Sequence, residues 1–139
     1  MKNPFQPGDV KTYETYVTEE KLARFASGVV HPVYSTFALA QDAEWCCRLF
    51  VLDMLEPEKD EEGVGTFVSV KHLAPAPLGS KITIRATLLY VKNNTIHCRY
   101  EAYAGTIKIA EGEQTQKIIS KTSFWKRIQA IQNPTSKPS

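Results

Sequence analysis

Glu44 is an acid inside an apolar stretch that runs from Phe37 to Met54. At about 100° per residue, Phe37, Ala40, Cys47, Val51 and Met54 fall on one side of a helix, and Glu44 lies among them. Asp42, Trp45 and Asp53 fall on the opposite side. A carboxylate on the apolar side must be neutralised, paired or used, because an unpaired buried charge costs several kcal/mol. Two more polar side chains are expected in its vicinity. Thr36 precedes it by a little over two turns and projects within about 80° of it. His72 follows Val68 and Val70 on a strand face expected to meet the helix. A hydroxyl, a carboxylate and an imidazole together suit hydrolysis at an acyl group. The helix N-terminus stabilises an oxyanion, the carboxylate activates water or attacks as a nucleophile, and the imidazole carries a proton to the leaving group.

Each residue also has an ordinary use. Thr36, or Ser35 beside it, is a routine N-cap. Glu44 stands about 40° around the helix from Arg48 and is placed for an i,i+4 ion pair; a different roll of the helix would expose it. A single histidine on an apolar face is commonly a satisfied core residue, and His72 gains weight only from the neighbouring acid. His31 and His97 have no such context and read as surface residues. Gly63 and Gly65 mark a turn into a strand, or a point where the backbone comes close to a ligand.

The chain has 139 residues, 42% apolar and 23% charged, with a formal net charge of +2. That is one domain with enough core to stand without metals or disulfides. No basic stripe with interleaved aromatics is present, which argues against nucleic acid. Gln41, Asp42, Glu44 and Arg48 interrupt the longest apolar stretch, so no transmembrane helix is expected. Residues 1–9 lack the apolar core of a secretory signal. Cys46, Cys47 and Cys98 are odd in number and lack metal-ligand spacing, so reduced buried thiols and a cytoplasmic location are expected.

The elements that must position these residues run strand, helix, then several strands. Val10 to Thr18 reads as an edge strand. Thr18 to Ala26 reads as a short capped helix, and Gly28 to Ser35 as a loop. The long helix should stop before Pro57. From Gly63 the period changes to two, with Thr66, Val68, Val70 and His72 on one face. Lys81 to Lys92 alternates with Ile82, Ile84, Ala86, Leu88 and Tyr90 inward. Asn93-Asn94 is a turn leading into Thr95 to Ala104, and Thr106 to Ser120 is a last strand expected to bend at Gly112. Phe124, Trp125 and Ile128 are placed to dock a short helix. Residues 1–8 and 130–139 read as flexible tails of a single domain, 1–139. One apolar helix followed by antiparallel strands implies an α+β architecture, the sheet wrapping the helix as a hotdog. Open sheet edges favour pairing across a twofold axis, so a homodimer is expected.

Two segments carry a family resemblance. Tyr34-Ser-Thr-Phe-Ala-Leu-Ala-Gln-Asp-Ala-Glu-Trp-Cys-Cys47 resembles the opening of the central helix in hotdog thioesterases of the fluoroacetyl-CoA thioesterase-like group. Gly65-Thr-Phe-Val-Ser-Val-Lys-His-Leu-Ala-Pro-Ala-Pro-Leu-Gly79 is similar to the strand that follows it. The resemblance covers about Val10 to Ile119 and implies a catalytic triad of Thr36, Glu44 and His72; Gly65 and Thr66 are the candidates for binding the substrate. It implies hydrolysis of an acyl-CoA to free acid and thiol, with coenzyme A belonging to the substrate and no separate cofactor. The stretch from Ala26 to Tyr34 lacks the Phe-bearing lid of the fluoroacetyl-specific member, so a different short- or medium-chain acyl group is expected. Lys71, Lys81 and Arg85 are candidates for the CoA phosphates. A non-hydrolytic acyl-CoA or acyl-carrier binding module is the alternative. A hydratase fits less well, because His31-Pro32 has no companion Asp.

Overall fold

Strict alternation builds the sheet, and the sheet decides where the helix lies. The computed structural model describes residues 1–133. In chain order the elements are β1 (Val10–Tyr16), β2 (Leu22–Phe25), β3 (Gly28–Tyr34), α1 (Thr36–Met54), β4 (Glu61–Val68), β5 (Lys71–His72), β6 (Lys81–Lys92), β7 (Thr95–Ala104), β8 (Ile107–Ser120) and α2 (Lys121–Gln132). The main sheet runs β1-β6-β7-β8-β4, with β5 also paired to β8. Every pairing in it is antiparallel. Ile82, Ile84, Ala86 and Leu88 of β6 bury one face, together with Ile96, Cys98, Tyr100 and Ala102 of β7. Helix α1 packs on that face, which is the α+β hotdog arrangement.

Helix α1 is rolled relative to the reading from apolar spacing. Its buried residues are Ala38, Leu39, Asp42, Ala43, Cys46, Cys47, Phe50, Val51 and Met54. Phe37 is 55% exposed and Trp45 42%, whereas Asp42 is only 8% exposed. Glu44 is half-buried, at the rim rather than the centre of the packed face. The spacing misled because the helix is apolar almost all round, so periodicity fixes its existence better than its roll. The three cysteines are free and buried.

Other local readings change too. Only Glu19–Lys21 forms a helical turn, and Leu22–Phe25 pairs with Gly28–Tyr34 as a separate hairpin. Thr18 Oγ1 bonds Glu20 Oε2 at 2.6 Å rather than capping a backbone N–H. The β-branched residues Val29, Val30 and Val33 supply the strand preference. A register shift between Leu88 and Tyr90 turns Tyr90 outward, away from Ile82 and Ile84. Residues 1–8 make contacts with the body: Lys2 N–H bonds Met54 O at 3.0 Å, and Phe5 sits edge-on to Phe50. The amino group of Met1 also pairs with Glu61 and Glu56. At the other end α2 continues to Gln132, through the start of the expected tail, with Phe124 and Ile128 half-buried and Trp125 exposed. The rest of that tail, from residue 134 on, lies outside the described residues.

Candidate active site

The N-terminus of α1 is capped by Ser35, whose Oγ accepts the Ala38 N–H at 3.0 Å. The capping role therefore falls on Ser35 and leaves the hydroxyl of Thr36, the first helical residue, for other contacts. Thr36 Oγ1 lies 3.2 Å from His72 Nδ1. The short strand β5 holds His72 opposite Ala110 of β8, and the next residue anchors it through Leu73 N–H to Ile109 O at 2.7 Å. His72 Nε2 is shielded from solvent and has no hydrogen-bond partner among the described residues. Burial lowers the His72 pKa from its ordinary 6.5, opposed in part by the nearby backbone of Ala74. The shift favours the neutral ring, in which one nitrogen is a donor site and the other an acceptor site.

Glu44 is held from two sides. Its Oε1 accepts from Gln114 Nε2 at 3.3 Å, and its backbone carbonyl accepts from Gln116 Nε2 at 3.2 Å. The same Gln116 nitrogen donates to Gln114 Oε1 at 3.0 Å, and both glutamines are almost fully buried. Gly65 of β4 lies against the carboxylate so closely that a Cβ there would stand 2.9 Å from the Glu44 carboxyl carbon. Arg48 does not form the i,i+4 ion pair; its Nη1 donates to Gly63 O at 2.8 Å. Thr66 sits where the β4–β8 register shifts, exposed, with Oγ1 donating to Thr115 O at 3.3 Å.

The structure thus brings Thr36 to His72, and Glu44 to Gly65. The first pair lines a cleft of about 320 Å³ between the β2–β3 hairpin and Leu73–Pro75. Glu44 itself opens on a groove of about 370 Å³ along α1, with Gln41, Asp42, Trp45 and Arg48. His31 lines the first cleft, which its sequence neighbours did not reveal. Sequence reading also missed Gln114 and Gln116. Their signal was two amides at inward positions of a strand whose other inward positions, such as Ile118, are apolar.

Residues 17–122 match the family described as fluoroacetyl-CoA-specific thioesterase. The chain belongs to this family. It is 27% identical over 132 residues to the fluoroacetyl-CoA thioesterase of Streptantibioticus cattleyicolor, covering 89% of this chain and 92% of that protein. Its structure is similar to that of a Thermus thermophilus protein of the thioesterase superfamily, with a TM-score of 0.88, 32% identity, and 94% and 96% of the two chains covered. It is also similar to a variant of the fluoroacetyl-CoA thioesterase solved in complex with acetyl-CoA, with a TM-score of 0.81, 25% identity, and 90% and 97% covered. The chain and these two proteins share a frame, which here carries Thr36, Glu44 and His72.

Proposed function

We propose that this chain hydrolyses a short- or medium-chain acyl-CoA to the free acid and coenzyme A, using Thr36, Glu44 and His72. The observation that carries the reading is the contact of Thr36 Oγ1 with His72 Nδ1 at an N-terminus whose cap is supplied by another residue. The family and the relative named for fluoroacetyl-CoA support the thioester as substrate. Glu44 takes a proton from water as the water oxygen attacks the thioester carbonyl carbon, or attacks that carbon itself and is released by water. The oxyanion that forms is stabilised by the free N–H groups of the first helical turn, by the Thr36 hydroxyl and by a backbone N–H at Gly65 or Thr66. The C–S bond then breaks, and the proton drawn from water, by Glu44 in the first route or on hydrolysis of the anhydride in the second, reaches the CoA thiolate through His72. Gly65 has no side chain because the carboxylate occupies that space.

The working unit in this proposal is a homodimer in the cytoplasm. Phe37, Trp45, Phe67 and Val68 are large apolar residues left exposed, and β4 is an edge strand of the sheet. A second copy joined along this edge would cover them and deepen the groove beside Glu44. Three free, buried thiols fit a reducing compartment. The test is a panel of acyl-CoA thioesters, from acetyl to long-chain and aryl, read by release of free thiol. Turnover of short or medium chains that collapses in Glu44→Gln and His72→Ala is expected. Tight binding with no thiol release on any member would refute the reading and favour a binding module.

A further inference from the structure

The most buried acid of the chain is one the proposed chemistry does not use. Asp42 is on the packed side of α1, and its Oδ2 accepts two hydrogen bonds, from Tyr34 OH at 2.5 Å and from Lys21 Nζ at 2.9 Å. Lys21 Nζ also donates to Thr15 Oγ1 at 2.8 Å. Tyr34 is 1% exposed. Burial and the neighbouring carboxylate raise its pKa well above the ordinary value of 10.0, so the phenol remains a donor at any working pH. These side chains span the start of the helix. Tyr34 is the last residue of β3, Ser35 is the cap, Thr36 opens α1, and Asp42 lies less than two turns further on.

Lys21 holds both ends of that stretch. Its backbone carbonyl accepts the Ser35 N–H at 2.8 Å, while its ammonium bonds Asp42. Tyr34 adds its own N–H to Ala76 O, also at 2.8 Å, on the segment that continues from His72. The approach to the helix, its first turns and the segment after His72 are therefore bonded as one body. Stability alone does not call for a charged cluster here, because well-packed apolar residues commonly replace a buried ion pair without loss. What directional bonds supply and apolar packing lacks is a single roll and a single entry angle. A rotation of α1 about its axis would carry Thr36 Oγ1 away from His72 Nδ1.

We propose that Tyr34, Asp42 and Lys21 are positioning residues that fix the start of α1 so that Thr36 faces His72. Tyr34 borders the cleft of Thr36 and His72, and Asp42 borders the groove of Glu44, but in this proposal both act through Thr36 rather than on the reacting atoms. The kinetic part of this inference rests on the thioester hydrolase reading; the geometric part does not.

The experiment compares wild type with Tyr34→Phe and with the apolar triple Lys21→Met, Tyr34→Phe, Asp42→Leu. Three readouts are taken: thermal midpoint, kcat and KM for thiol release, and the imidazole nitrogen chemical shifts of His72 in the unliganded protein. The triple variant is expected to melt at or above the wild-type midpoint. Its kcat should fall by about tenfold or more with KM within about twofold, as expected for a misplaced group near the reacting atoms. Its His72 signals should move towards those of Thr36→Val. Wild-type kcat with unmoved His72 signals in a folded triple variant overturns the proposal. If the triple variant does not fold, Tyr34→Phe decides the matter by the same two readouts. Absence of turnover in wild type would instead refute the hydrolase reading, and the His72 spectrum would then decide the positioning role by itself.

Discussion

Gly65→Ala separates the stability of this protein from its chemistry. The new Cβ would stand 2.9 Å from the Glu44 carboxyl carbon, and closer still to one of its oxygens. Carbon atoms in contact prefer about 3.5–4.0 Å and the oxygen is more crowded than the carbon, so the carboxyl group must retreat by about 1 Å or more. That group is the end of a flexible side chain on a half-buried rim, so the move requires only a change of rotamer and the loss of one 3.3 Å bond from Gln114. The expected change in folding stability is about 1 kcal/mol or less. The expected change in catalysis is far larger. Misplacing a reacting group by about 1 Å typically reduces rate about 10²-fold, or about 2.7 kcal/mol of barrier. Thiol release from the best acyl-CoA, measured beside a thermal melt, should therefore show a severe loss of kcat at a nearly unchanged midpoint. An alanine variant with wild-type kcat would refute the placement of Glu44 in the reaction. A variant that loses activity only by unfolding would refute the energetic reasoning.

The low pKa of His72 links folding to pH. The unfolded chain protonates this ring near 6.5, whereas the folded protein holds it neutral to a lower pH. Between those values the unfolded state binds more protons, so stability is complete above about 6.5 and declines as pH falls through the window. In His72→Gln the denaturant midpoint should lose this part of its pH dependence; an unaltered slope would contradict the shift. The acid limb of kcat/KM for wild type should lie below 6.5 for the same reason, and a limb above that value would show that another group controls it. Trp45→Glu and Phe67→Glu place a charge on the exposed apolar residues of α1 and β4. Sedimentation should find wild type near twice the 15.6 kDa chain mass and these variants shifted to monomer; a monomeric wild type would remove the dimer from the proposal. A single turnover in heavy-oxygen water probes the two roles of Glu44. Label in the Glu44 carboxyl establishes an anhydride opened at the glutamyl carbon; label in the product acid alone is shared by a general base and by water attack at the acyl carbon, and capture of acyl-Glu44 by added hydroxylamine separates those two.

The sheet was legible because β6, β7 and β8 alternate over long runs between clear turn residues. Asn93 takes a φ of 56° and Gly105 of 61° at those turns. The extent of α1 was legible for the same reason, bounded by Ser35 and Pro57. Its roll was not. Phe37, Trp45 and Leu52 are apolar and exposed, so hydropathy could not tell an inward side from one left for a partner. Consequently Asp42 read as outward and is buried, while Glu44 read as central and lies at the rim. The hairpin β2–β3 was hidden because Glu19, Glu20 and Lys21 after Thr18 have the composition of a helix start. Nearness of Thr36 to His72 could be suggested by spacing and resemblance, but the distance depends on β5, a two-residue strand with almost no periodic signature. Gln114 and Gln116 stand at inward positions yet were passed over for a simpler reason: polar residues on a strand read as solvent-facing until the acid beside them is placed.

A kinetic double-mutant cycle on Glu44→Gln and His72→Ala asks whether these two side chains share one reaction. Both single variants should lose most of their thiol-release rate, and the double variant should be little worse than the slower single, as found for groups that act as a unit. Losses that simply multiply, or near-normal turnover in either single variant, would mean that the acid and the imidazole do not serve the same reacting centre.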